Sequence, residues 1–360
     1  MKNSCTKTVL GTTATLALLA SSLLGTSAVA DELPSSAFKD VQALDALHSD
    51  NAGVLEDRHN DLETRPGKVV AKTTEIVAQD SPGKARSRMV KKVTTVPLDA
   101  RSAITIEDTS ENVAASISLP FSAKTDEATQ LADGTPVFDH ENGASTVPVV
   151  KSDGSVQITT VIDDKTAPTR YDYETSVLGA ASIKEIENGS LAFLDEEGEF
   201  LAGIAPAWAK DATGKDVPTR YQVRGMTVVQ IVDHDKIADV EYPVIADPWL
   251  GVDLFSKTYL GTKNRQLTIN ARKSAWGQAM HTPGNGQAIF LTAGWSELKN
   301  KQPAVKLKKS LHQQYDCHVG GGFFNFAGDW NLEQFRPNRT RHWTYGVAVH
   351  RCNWATPNRY

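Results

Sequence analysis

Cysteine is scarce in this chain, three residues in 360. That scarcity excludes a disulfide-dense scaffold and a zinc framework of paired CxxC motifs. After residue 30 no apolar run is long enough to cross a bilayer, so no membrane span is expected in 31–360. Catalytic signatures are missing as well: there is no HExxH, no Gly-x-Ser-x-Gly elbow and no Walker loop. Gly320-Gly321-Gly322 has the surroundings of neither a Walker loop nor a dinucleotide fingerprint. Asp233-His234-Asp235 with Asp239 lacks the glycine and terminal glutamate of a calcium loop. No metal and no cofactor is expected.

What is present begins with a leader. Lys2 and Lys7 precede an uncharged apolar stretch from Val9 to Leu24, and Ala28-Val29-Ala30 supplies a small-x-small cleavage site. The pattern predicts a signal peptide over 1–30, with a secreted, extracellular or cell-wall-associated mature chain from Asp31. Cys5 leaves with the leader. Cys317 and Cys352 remain, and in an exported chain they are expected to pair. A metal pair or a catalytic thiol is the alternative, since His318 follows Cys317 directly.

A net charge of −5 conceals a division. Residues 31–250 carry 21 Lys and Arg against 38 Asp and Glu, and residues 251–360 carry 15 against 5. Such asymmetry points to an anionic partner or to docking of the acidic part on the basic part.

Composition divides the mature chain further. Residues 31–95 are charged and punctuated by Pro66-Gly67 and Pro82-Gly83, and they read as a weakly structured stalk or pro-segment. The alternative there is a helix around Ala43–Leu55 packed on the next domain. Residues 96–250 read as an acidic β-rich domain. Asp153-Gly154 separates Val147–Val150 from Val156–Ile162, and Asn188-Gly189 separates Ile183–Glu187 from Ser190–Leu194. Both are hairpin signals. The fold expected is mainly β: an antiparallel sheet or sandwich, then a smaller disulfide-stapled β-rich domain over 251–360. Pro168-Thr169-Arg170-Tyr171 recurs as Pro218-Thr219-Arg220-Tyr221, a faint internal repeat.

Two stretches carry a family resemblance. Ala205-Pro206-Ala207-Trp208 through Tyr242-Pro243-Val244-Ile245-Ala246-Asp247-Pro248-Trp249 resembles a β-rich module of large exported proteins of Gram-positive bacteria. That resemblance implies a structural spacer ahead of a variable C-terminal unit, and no activity. Gln314-Tyr315-Asp316-Cys317-His318, Trp330 to Pro337, and Arg351-Cys352-Asn353 are similar to an exported bacterial domain of unknown function. It implies a disulfide-bearing module and carries no catalytic residues across.

The chemistry of 251–360 rests on its own residues. Arg341 to Asn353 alternates like one long strand, with Trp343, Tyr345, Val347 and Val349 facing the core and His342, His350 and Cys352 on the other face. A Cys317–Cys352 bridge brings His318 toward His350. With Asp316, Glu333 and Arg336 nearby, these histidines are candidates for acid–base catalysis, or else polar residues beside a bridge. Arg336, Arg339, Arg341 and Trp343 are candidates for binding an anion, because guanidinium forks pair with phosphate or carboxylate and aromatics stack on sugars or bases. Lys299, Lys301, Lys306, Lys308 and Lys309 form a second cationic run. Three functions compete. The leading one is non-enzymatic binding of an anionic envelope polymer or glycan, and nucleic acid or anionic lipid satisfies the same chemistry. The second is a secreted hydrolase or toxin masked by the acidic part. The third is a structural extracellular protein.

Overall fold

The computed structural model of the chain describes residues 35–46, 55, 57–81, 84–108, 113–186, 188–321 and 328–359, and the leader with Cys5 lies outside them. The fold is mainly β. Apolar–polar alternation becomes strand wherever one face can be buried: along Arg170–Val177, Tyr171, Tyr173, Thr175 and Val177 point inward and the residues between them outward. Both predicted hairpins form. Ala144–Val150 pairs with Val156–Ile162 around Gly154, and Ser182–Glu185 pairs with Leu191–Leu194 around Gly189. Glycine serves at these two turns because the backbone takes φ of 82° and 81°.

The strands assemble into two sheets of 11 and 10 strands. The first runs from the pair Thr219–Arg224 and Thr227–Val232 through the long hairpin Lys68–Ser81 and Lys84–Pro97 to the hairpin Phe255–Lys263 and Gln266–Lys273, ending on Trp330–Glu333. Pairing is antiparallel except where Tyr259 lies opposite Ala78, a parallel contact. The second sheet is centred on Val156–Ile162. Ile104, Ile117 and Tyr173 of the first sheet and Ile158, Ile162, Phe193 and Leu250 of the second share one core, so the sheets form a sandwich.

The repeated tetrapeptide occupies equivalent positions. Tyr171 and Tyr221 both lie opposite Gln230, and Arg170 and Arg220 both lie opposite Ile231, on the two sides of the strand Thr227–Val232. Both tyrosines are buried on the same face, which accounts for the recurrence in register and spacing.

Every residue of Val156–Ile162 is buried, because both faces of the strand are covered. Val156, Ile158 and Ile162 face the sandwich core, while Val161 joins Val147, Val149 and Ile245 beneath the helix Ser35–Ala46. Ala37 and Leu44 anchor that helix, and Ser145 Oγ donates to Asp40 at 2.7 Å. The stretch 31–95 therefore holds a packed helix, which overlaps the expected one at Ala43–Ala46 (residues 47–54 of that expectation lie outside the described residues), and the long hairpin. Its turn at Pro82-Gly83 lies outside the described residues.

The phrase around Tyr242–Trp249 seams the second sheet. Val244–Asp247 and Trp249–Gly251 both pair with Val156–Ile162. Asp247, 1% exposed, accepts from Gln157 Nε2 at 2.7 Å, and Trp249 Nε1 donates to Ser155 Oγ at 2.8 Å.

Beyond residue 250 the chain adds more helix than its alternation suggests. Ala275–Met280, Asn285–Ile289, Trp295–Lys301 and Lys309–Gly321 pack on the hairpin Phe255–Lys273 around Phe255, Trp276, Phe290, Tyr315 and Trp330. The junction with the sandwich is a buried charge network. Lys92 Nζ contacts Asp253 at 2.5 Å, Lys301 Nζ contacts Asp253 at 3.4 Å and Glu297 at 2.9 Å, and Glu297 accepts the N–H groups of Leu254 and Phe255. Burial works against the Asp253 anion, but Lys301 and Lys92 overcome it and hold the carboxyl below the usual range.

Candidate anion-binding surface

The disulfide forms as expected, joining Cys317 on the helix Lys309–Gly321 to Cys352, with Cα atoms 5.4 Å apart. Both cysteines are buried with Trp354, and Trp343 and Val347 pack against them. The long strand expected over 341–353 is not there. The segment turns through Thr344–Gly346 into one helical turn, Val347–His350, flanked by left-handed Gly346, Arg351 and Cys352 at φ of 77°, 44° and 68°. The bridge holds Cys352 against the helix, and left-handed backbone at Gly346, Arg351 and Cys352 breaks the extended run. Tyr345 and Val349, expected in the core, are 43% and 66% exposed.

His350 is consumed by this turn. Its Nδ1 accepts the Cys352 N–H at 3.0 Å, and its Nε2 faces the carbonyls of Trp343 and Tyr345 at 3.0 and 3.2 Å. Nδ1 as acceptor makes Nε2 the protonated nitrogen, so the ring is a neutral staple between three backbone groups. Burial, and then Arg339, lower its pKa and keep it so. His318 lies 12° from coplanar with Trp330, with centroids 5.7 Å apart, and burial pushes it down to about 4. Among the described residues no hydrogen bond or ring contact joins His318 to His350. Asp316 pairs with His312 at 3.4 Å rather than with either of them, and burial raises its carboxyl.

A buried polar cluster that sequence reasoning missed surrounds Trp330. Lys273 Nζ donates to His281 Nδ1 at 3.0 Å and sits 5.5 Å above the Trp330 ring, while His281 Nε2 donates to the Val319 carbonyl at 3.1 Å. Burial lowers Lys273 to about 8 and His281 to about 3. The sequence separation of 38 between His281 and Val319 leaves no local spacing by which to find it.

The four predicted binding residues divide. Arg336 donates to Glu333 at 2.5 Å and to the Trp354 carbonyl at 3.2 Å. Arg339, 5% exposed, donates to the carbonyls of Arg359 and Tyr345 and stacks 5.1 Å over Trp354. Trp343 packs its ring on Gly320 so closely that an added Cβ would overlap it. These three hold the C-terminal loop together. Arg341 stays exposed, stacked 4.5 Å over Tyr345. In the lysine run, Lys301 is buried in the junction network and Lys308 donates to the Gln334 carbonyl, whereas Lys306 and Lys309 are exposed.

The decisive feature is where the acids go. Residues 251–360 contain five carboxylates, and each meets a basic side chain. Asp253 and Glu297 lie in the junction network, Asp316 meets His312, Asp329 meets Arg272 at 2.5 Å, and Glu333 meets Lys263 and Arg336 at 2.5 Å. None of the five is an exposed residue. Lys257, Arg265, Lys306, Lys309, Arg341, Arg351 and Arg359 are exposed, and among the described residues none of them forms an ion pair with a carboxylate of this part, although Lys257 is close enough to Asp329 to help hold that carboxyl below its usual range. Nor, among the described residues, does an ion pair join them to the acidic part. Among the described residues, the ion pair that crosses residue 250 is Lys92–Asp253, which runs in the opposite sense.

No group of three or more His, Cys, Asp or Glu among the described residues has the arrangement to hold a metal ion. No helix among them is long and apolar enough to cross a membrane. No family model, curated protein or solved structure matches the chain.

Proposed function

We propose that this is an exported protein whose C-terminal part, 251–360, holds an anionic polymer or glycan of the cell envelope without turning it over. The carrying observation is that all five carboxylates there are spent on internal partners, leaving the exposed charge of one sign. A surface of one sign recruits an extended polyanion by releasing its counterions. Export rests on the leader and is supported by the Cys317–Cys352 bridge, since disulfides persist in oxidising compartments. The resemblances to exported Gram-positive modules fit the same reading. The hydrolase reading lacks its pair, because both His350 nitrogens are engaged with backbone.

The test is binding of the mature chain to polyphosphate, and to a carboxylate polymer, from about 50 to 200 mM salt. Affinity is expected to fall at least tenfold over that range, and Lys306→Gln with Lys309→Gln to lessen the salt slope. Binding that ignores salt would refute the electrostatic account.

A further inference from the structure

Val349 is the most exposed large apolar side chain among the described residues, at 66%, and Tyr345 in the same turn is 43% exposed. A single exposed aliphatic side chain is ordinary, and Leu307 is 65% exposed, but Val349 and Tyr345 together present an apolar pair on one turn. This one is also held out rigidly. Arg351 and Cys352 take left-handed backbone, which is unfavourable for a non-glycine residue. The bridge to Cys317 and the three backbone contacts of His350 keep the turn in that shape. Such strain survives only where the surroundings over-determine it, and it gathers at contact sites.

The chemistry around the turn identifies what covers it. Arg341 stacks on Tyr345, and exposed Arg351 follows the turn directly. From Gln334 to Tyr360 there are five arginines and neither an acid nor a lysine. Guanidinium forks suit phosphodiesters, which they grip with two hydrogen bonds. A dissolved polyanion uses those charges but has nothing to bury Val349. An anionic bilayer surface uses both: phosphates meet the arginines, Tyr345 lies at headgroup depth, and Val349 enters the acyl boundary. We propose that the turn 345–351, with Arg341, is a peripheral docking site for anionic phospholipid bilayers.

The experiment is co-sedimentation of the oxidised mature chain with phosphatidylglycerol-containing vesicles and with pure phosphatidylcholine vesicles, beside polyphosphate binding in solution. Wild type is expected to partition to the anionic vesicles and not to the neutral ones. Val349→Ser, at an exposed position, is expected to lower vesicle partitioning about tenfold and to leave polyphosphate affinity unchanged. Arg341→Gln with Arg351→Gln is expected to abolish vesicle binding. Reduction of the bridge, which frees Cys352, is expected to weaken vesicle binding more than polyphosphate binding. Equal partitioning of wild type and Val349→Ser, equal binding to both vesicle types, or losses matched on vesicles and polyphosphate would each overturn the lipid site. Failure of the polymer proposal would appear elsewhere, as salt-independent polyphosphate binding.

Discussion

Replacing Asp247 by Asn should make the protein more stable at neutral pH and leave it nearly unchanged in acid. Asp247 is 1% exposed in the seam where two strands share Val156–Ile162, and one of its oxygens has no hydrogen-bond partner. Burial pushes its pKa from 3.8 up to about 7, against the opposing pull of Gln157, Trp208 and Lys151. A folded pKa above the unfolded one means the native state holds its proton longer. The contribution to stability is therefore complete below about pH 4 and is lost as pH rises to about 7. For a group this buried, a rise of that size is worth on the order of 4 kcal/mol. Asparagine keeps an oxygen for Gln157 Nε2 and never ionises, so the variant does not suffer that loss. Urea unfolding of both proteins at intervals from pH 4 to 8 checks it. The variant should gain on wild type between pH 4 and 7 by a few kcal/mol, and the gap should be flat above pH 7. A gap independent of pH would mean the carboxyl is solvated or paired in a way that cancels its burial.

Two further perturbations test how the C-terminal part is held. Cys352→Ser opens a loop closed over a separation of 35 residues, for which chain entropy predicts a loss of about 3.8 kcal/mol in urea unfolding under oxidising conditions; an unchanged midpoint would contradict it. Asp253→Asn takes the carboxylate partner from the buried ammonium group of Lys92 and leaves Lys301 to Glu297, and should cost about 3–5 kcal/mol by the same measurement. A loss under 1 kcal/mol would place the junction network in contact with solvent.

How much of this was legible in the sequence depends on how local the signal was. The hairpins at Asp153-Gly154 and Asn188-Gly189 were legible because a turn needing positive φ leaves its mark in two adjacent residues. The bridge was legible because two cysteines admit one pairing. The helices after residue 274 were not, because Ala275–Met280 and Asn285–Ile289 are shorter than the window in which a helical period shows, and packing rather than propensity makes them. The alternation of 341–353 misled because Trp343, Tyr345, Val347 and Val349 also fit a turn that half-buries two of its apolar residues and presents the others. The left-handed Gly346, Arg351 and Cys352 distinguish the two, and of these only the glycine is a residue type that advertises that backbone. Among the arginines, sequence marked the right neighbourhood but not the division of labour. Arg339 and Arg341 are two residues apart, yet one is wrapped by carbonyls and the other lies on the surface.

That division has a physical logic. An irregular segment with little regular structure must be held by side chains, and the commonest partner for an arginine is a carboxylate. Every carboxylate placed there would subtract from the surface's single sign. From Gln334 onward the chain uses other acceptors. Arg339 is held by the carbonyls of Arg359 and Tyr345 and by the face of Trp354, Arg336 by the Trp354 carbonyl and by Glu333, which is buried and lies just outside the segment. A neutral imidazole and a disulfide supply the remaining ties at His350 and Cys352. Backbone carbonyls, ring faces and sulfur carry no net charge, so the loop becomes rigid without losing positive potential. An arginine suits this internal use better than a lysine, because its five donors satisfy several carbonyls at fixed angles while it stays charged. The same chemistry therefore holds the loop inward and leaves Arg341 and Arg351 facing outward, where the proposed anion would be met.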